Sequence, residues 1–173
     1  MENEPLIAPA ADRESALVRD DKLELKVWLR LLTCANLIEN RVRVGLRESF
    51  DITLPRFDVL AQLDRAPDGL TMSELSGHLM VSNGNITGLV DRLVGEGLIS
   101  RVPAPDDRRR NRVKLTAAGK RVFDTMTPVH ERWVDDLLKG LSRNEMADLL
   151  ALLAKLKRSV QASDSTNQDK ERA

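Results

Sequence analysis

Aromatic side chains are scarce in this chain, with three phenylalanines, two tryptophans and no tyrosine among 173 residues. Set beside 31% charged residues, that scarcity fits a helical protein with much of its surface in water. A single cysteine, Cys34, excludes an intramolecular disulfide framework and suits a reducing compartment. The two histidines, His78 and His130, lie far apart with no cysteine cluster near either, so no structural metal site is expected. No apolar run reaches the length of a membrane span. The acidic, polar N-terminus lacks the apolar core of a signal peptide, so a cytoplasmic location is expected. Net charge is zero, which leaves a polyanionic partner only where basic residues concentrate locally. No nucleophile–base pair, phosphate-binding glycine loop or cofactor motif stands out. Asp135 and Asp136 are adjacent, and consecutive helical positions diverge by about 100°, so they do not converge on a substrate. The chain does not read as an enzyme.

What is present centres on residues 70–119. Thr71 followed by Glu74 predicts a capping box opening a short helix, with Leu75 and Leu79 at helical spacing. Val81-Ser82 breaks that helix, and Ser82 serves as the next N-cap. A second helix is expected over 83–96, burying Ile86, Leu89, Val90 and Leu93 and turning Asn83, Asn85, Thr87, Asp91 and Arg92 elsewhere. Two short helices, a tight turn and a polar leading end on the second predict a helix-turn-helix.

Gly97 is placed to end that second helix. Residues 98–102 and 112–116 alternate as strands, and the polar loop between them carries two prolines and three adjacent arginines. This is a hairpin with a charged tip beside a recognition helix, which predicts a winged helix-turn-helix, mainly α with a two-stranded wing. Between Arg101 and Arg121 eight basic residues face only Asp106 and Asp107, giving that window about +6. Phosphate neutralisation requires such a local concentration.

The flanks read as helices. Residues 1–20 show no period and are expected to form a mobile arm. A long amphipathic helix is expected from 22 to 50, apolar almost all round in its early part (Leu23, Leu25, Val27, Trp28, Leu29, Leu32), as in a helix covered on two sides. Pro55 opens the next helix, whose apolar stripe is Phe57, Leu60 and Leu63. After the wing, a helix with Val122, Met126, Val129, Trp133 and Leu137 on one face is expected, kinked at Pro128. Ser142 and Glu145 form a second capping box before a leucine-rich last helix, and residues 163–173 are expected to be disordered. The domain plan is therefore 55–116 for DNA binding, with 21–54 and 117–162 as a helical dimerisation region. A homodimer is the economical way to bury two apolar stripes at opposite ends of one chain, and it spaces two recognition helices roughly 34 Å apart for a near-palindrome.

On the second helix, Ser82, Asn83, Asn85 and Thr87 occupy the first two turns, where side chains reach base edges and backbone N–H groups reach phosphate. Gly84 and Gly88 each cost about 1 kcal/mol of helix propensity, which close approach to a duplex or to a neighbouring helix would offset. Arg92 is a candidate phosphate contact, or a partner of Asp91 or Asp107.

Thr71 with Glu74-Leu75, Ser82, Thr87, Val90-Asp91-Arg92-Leu93, Gly97-Leu98-Ile99, Arg101, Asp107-Arg108-Arg109, Val113, Leu115-Thr116 and Gly119 resemble, in order and spacing, the MarR family of bacterial transcription regulators. Leu54-Pro55-Arg56-Phe57-Asp58-Val59-Leu60 resembles the helix that precedes the helix-turn-helix in that family. The resemblance covers about residues 22–160 and implies a homodimer with entwined termini on a double-stranded operator. By the family's Asp-x-Arg pattern, Arg109 enters the minor groove and Asp107 orients it, while Arg108 and Arg110 serve phosphates.

The resemblance also implies an effector cleft where the long first helix, the Pro55 helix and the helix after the wing meet. An aromatic carboxylate or its CoA thioester is the expected ligand class. Arg41, Arg43 and Arg47 are the candidates for its anionic group, and Trp28, Phe57, His130 and Trp133 for its walls. The expected role is a repressor released by that effector, of the kind that serves aromatic compound catabolism, with no cofactor. Two alternatives stay open. Some relatives sense peroxide through a cysteine near the start of the protein, which would fall to Cys34, although a buried, inert thiol is the commoner case on an apolar face and the tyrosines those sensors use are absent. An architectural DNA-binding protein without effector is the other.

Overall fold

The computed structural model describes residues 22–79, 83–103 and 111–171, of which 83–85 and 163–171 are described as backbone alone. The expected N-terminal arm, the Ser82 cap and the wing tip with Asp107, Arg108, Arg109 and Arg110 lie outside the described residues. The chain divides into one unit up to Val134 and a second from Asp135.

In the first unit α1 spans Leu23–Phe50. It ends where Asp51 turns into the left-handed region at φ 50°, a conformation that Asp tolerates better than most residues. The Asp51 N–H donates to the Arg47 carbonyl at 3.2 Å, and the two side chains form an ion pair at 3.3 Å. Only Val42 and Leu46 of α1 are buried. Leu23, Leu25, Val27 and Trp28 are exposed, so the described residues of this unit do not supply the two-sided cover that their pattern calls for.

Helix α2, Leu54–Asp64, starts from an extended Thr53 with Pro55 in its first turn. It contacts α1, α3, α4 and the wing strand β2. Val59 and Ala61 are therefore buried together with Phe57, Leu60 and Leu63, and the single stripe expected from sequence becomes a helix covered on most sides. The capping box of α3, Met72–Leu79, is formed: Glu74 N–H donates to Thr71 Oγ1 at 3.2 Å, and the Glu74 carboxylate accepts from the Thr71 N–H at 2.8 Å.

Helix α4 spans Asn83–Gly95 and ends in a Schellman motif. Gly97, at φ 71°, donates to Val94, and the Leu98 N–H reaches back to Leu93 at 3.0 Å. Strands β1, Ile99–Pro103, and β2, Asn111–Leu115, pair antiparallel with Ile99 opposite Leu115 and Arg101 opposite Val113. Leu70 adds one bridge to Val113, which ties the segment before α3 to the base of the wing.

Thr116 then joins α4 to α5, Ala117–Leu138. Its hydroxyl donates to the Gly97 carbonyl at 2.7 Å and accepts the Gly119 N–H at 2.9 Å. The inward face of α5 differs from the expected one. Val122 and Leu137 are exposed, and the face is Gly119, Phe123, Met126, His130 and Trp133. Both stripes share Met126 and Trp133 at helical spacing, and the larger Phe123 takes the core position.

In the second unit, Ser142 Oγ accepts the Glu145 N–H at 3.3 Å and opens α6, Arg143–Glu171. The backbone is helical through 163–171, where composition alone predicts disorder; extending an existing helix avoids the cost of nucleation. Leu149, Leu150, Leu152, Leu153, Leu156 and Val160 are exposed.

Candidate DNA-binding surface and effector cleft

Helix α4 separates its faces as the pattern requires. Ile86, Val90 and Leu93 are buried, while Thr87, Asp91 and Arg92 face out. Among the described residues nothing lies within 4 Å of a side-chain position at Gly88, so none of them packs there closely enough to account for that glycine. The side chains of Asn83 and Asn85 lie outside the described residues. Arg92 is not the partner of Asp91, whose Oδ1 accepts from Arg101 Nη2 at 2.5 Å.

The basic window is less free than its count suggests. Besides Arg101, Arg112 Nη1 donates to the Gly69 carbonyl at 3.0 Å, and its buried Nε has no hydrogen-bond partner among the described residues. Lys120 bridges Asp64 at 2.8 Å and Asp124 at 2.6 Å, and these hydrogen bonds raise its pKa, that to Asp124 most. Three of the basic residues counted from sequence are thus engaged inside the fold. Arg56, which the sequence did not single out, reaches from α2 to Glu96 at the end of α4.

Of the candidate effector residues, Phe57 and His130 meet, while Trp133, three residues further along α5, makes its ring contact with Phe50. Phe57 stacks on His130 with ring centroids 4.8 Å apart and meets Phe123 at 5.5 Å. Trp133 meets Phe50 at 6.3 Å and lies against Gly45 of α1. Phe50, Phe57, Phe123 and Trp133 are four of the five aromatic residues in the chain. Burial lowers the His130 pKa, against a smaller opposing pull from Glu131, which favours the neutral form of the stacked ring. On α2, burial and then the Glu39 charge raise the Asp58 pKa.

The structure does not bring Trp28 to this cluster, because 17 helical residues, roughly 25 Å, separate it from Gly45. Arg43 and Arg47 pair with Glu39 and Asp51 along one stripe of α1, and Arg41 is exposed. Phe50, Phe123, Asp58 and Gly45 were missed from sequence; the one available signal was that Phe123 stands three residues before Met126. The rings pack on one another, and an open hollow of about 330 Å³ lies elsewhere, between the end of α2, Leu115 and the start of α5. Cys34, where burial was the commoner expectation, is exposed, since it lies on the half of α1 that carries no buried residue.

A three-helix core, a two-stranded wing and a helix-turn-helix with its second helix facing out define a winged helix-turn-helix DNA-binding protein. Residues 52–110 match the model of the MarR family. The transcriptional activatory protein BadR of Rhodopseudomonas palustris is 31% identical over 144 residues, 79% of this chain and 81% of BadR. The multiple antibiotic resistance protein MarR of Escherichia coli is 34% identical over 131 residues, 76% of this chain and 88% of MarR. A crystal structure of a mutant of that MarR complexed with operator DNA superposes with a TM-score of 0.67 at 31% identity, covering 77% of this chain and 95% of that one. The chain belongs to the MarR family and is a DNA-binding transcriptional regulator. Among the described residues no helix is long and apolar enough to cross a membrane.

Proposed function

We propose that the protein is a homodimeric, effector-gated regulator that leaves a near-palindromic operator when a small aromatic acid or its CoA thioester binds. The observation that carries this reading is the aromatic cluster. Four of the chain's five aromatic residues, with the His130 imidazole, form two ring groups where α5 meets its neighbours, Phe50 of α1 with Trp133 and Phe57 of α2 with Phe123 and His130, and α2 is in contact with α4. An aromatic ring inserted there acts on the helix that supports the recognition helix. Arg41, Arg43 and Arg47 on α1 supply positive charge for a carboxylate or for CoA phosphates.

The dimer follows from the open apolar faces: Leu23, Leu25, Val27 and Trp28 on α1, and the leucines of α6, exceed what a monomer leaves in water. In this reading residues 55–116 form the DNA-binding part, and 21–54 with 117–162 the dimerisation region. Ser82, Asn83, Asn85 and Thr87 read bases, Arg92, Arg108 and Arg110 hold phosphates, and Arg109, oriented by Asp107, enters the minor groove.

The test is mobility shift on the chain's own upstream intergenic DNA with a panel of aromatic acids and their CoA thioesters. Release by one compound supports the reading and names the effector class. Binding that no member of the panel releases counts against it, as does a monomeric mass in light scattering.

A further inference from the structure

The outward surface of α4 presents a problem in charge. Asp91 and, at the helix end, Glu96 place two carboxylates on the element that approaches a polyanion, where each repels phosphate. Both are paired, each to an arginine from a different neighbour. Arg101 stands on the same face of β1 as Ile99 and opposite the buried Val113, so the strand's pleat directs it back over α4 to Asp91. Arg56 comes from α2, is three-quarters buried, and reaches Glu96 while its Nε is buried without a hydrogen-bond partner among the described residues.

We propose that Arg56 and Arg101 are positioning residues for DNA binding: they clamp α4 between α2 and the wing through Glu96 and Asp91, and neither serves phosphate. The apolar contacts of Ile86, Val90 and Leu93 set how closely α4 sits on the core, but such contacts are non-directional. Five residues separate the two carboxylates, about 140° around the helix, so the two bridges restrain rotation from different sides. Charge-assisted hydrogen bonds supply the missing direction. The Asp91 bridge also fixes the wing to the recognition helix, so that both meet the duplex in one register. The inference uses the DNA-binding role of α4 and is independent of any effector.

The sign of the effect separates the two accounts. If only charge matters, Asp91→Ala and Glu96→Ala tighten DNA binding. If the clamp matters, both weaken it. The probe is the duplex that the full-length wild-type protein selects from a random library, titrated from about 50 to 200 mM salt. The expected result is a roughly three- to fivefold loss for Asp91→Ala and for Arg101→Ala, the scale of an exposed ion pair. The double variant binds no more weakly than either single one, and the salt slope stays at the wild-type value. Glu96→Ala and Arg56→Ala repeat the pattern. Thermal melting selects an assay temperature at which each variant is folded. Arg101→Lys and Arg56→Lys keep the charge, and lose affinity only if guanidinium geometry is what holds α4. Tighter binding by Asp91→Ala, additive losses in the double variants, or a salt slope lowered by about one unit in Arg101→Ala overturns the proposal.

Discussion

Gly45 of α1 lies directly under the indole of Trp133 on α5: a β-carbon at residue 45 would come within 2.9 Å of two ring atoms. The crowded atoms belong to the far end of a side chain that is only partly buried, so the ring has room to yield. Gly45→Ala is expected to tilt Trp133 away from α1 and cost about 1 kcal/mol, the low end for overpacking. In a Trp28→Phe background, emission from Trp133 should shift to the red with a small drop in melting temperature. An unchanged spectrum would show that the contact does not hold the ring.

Gly119 meets backbone instead. A β-carbon there would stand 1.9 Å from the Leu98 carbonyl oxygen, which already accepts the Thr116 N–H at 3.0 Å. No rotamer change relieves that clash, because the obstacle is the main chain at the junction of α4, wing and α5. Gly119→Ala is expected to cost about 3 kcal/mol, lowering the melting temperature by roughly 6–12 °C. A melting temperature within a degree of wild type would refute it.

These two glycines mark what sequence could and could not tell. Capping boxes at Thr71 and Ser142 and the turn at Gly97 were legible, because each is decided by residues three or four apart. The strands came within one residue of their observed ends. The face of α5 was not legible, since Val122 and Phe123 both continue a helical stripe through Met126 and Trp133. Nor was the fate of the basic residues. Arg56 and Glu96 are 40 residues apart, and composition does not say which cations a fold uses internally. The same holds for the aromatic cluster, which arises only when three helices meet.

The imidazole of His130 and the carboxyl of Asp58 titrate with opposite consequences. Burial lowers the His130 pKa below the usual 6.5, so below that pH the unfolded chain binds a proton that the folded one resists. Its contribution to stability is therefore lost as pH falls from 6.5 through the folded value. Asp58, raised above 3.8 by burial and Glu39, behaves the other way: the folded chain holds the proton longer, and stability is lost as pH rises through the raised value. His130→Gln should flatten the melting-temperature profile below pH 6.5, whereas Asp58→Asn should raise the melting temperature at neutral pH. A His130→Gln profile parallel to wild type, or a neutral-pH loss in Asp58→Asn, would contradict these assignments.

Arg109 provides the contrast to Arg101. Both belong to the same basic window, yet Arg101 is held by Asp91 at the base of the wing, whereas Arg109 is the residue proposed for the minor groove. A cation in a narrow minor groove displaces counterions and adds to the salt dependence of binding; a cation spent on an internal ion pair does not. Arg109→Ala should therefore weaken operator binding and lower the slope of log K against log salt by about one unit per subunit. Arg101→Ala should weaken binding at an unchanged slope. Titrations of both variants on one duplex at several salt concentrations make the comparison. Equal slopes for wild type and Arg109→Ala would remove Arg109 from the groove.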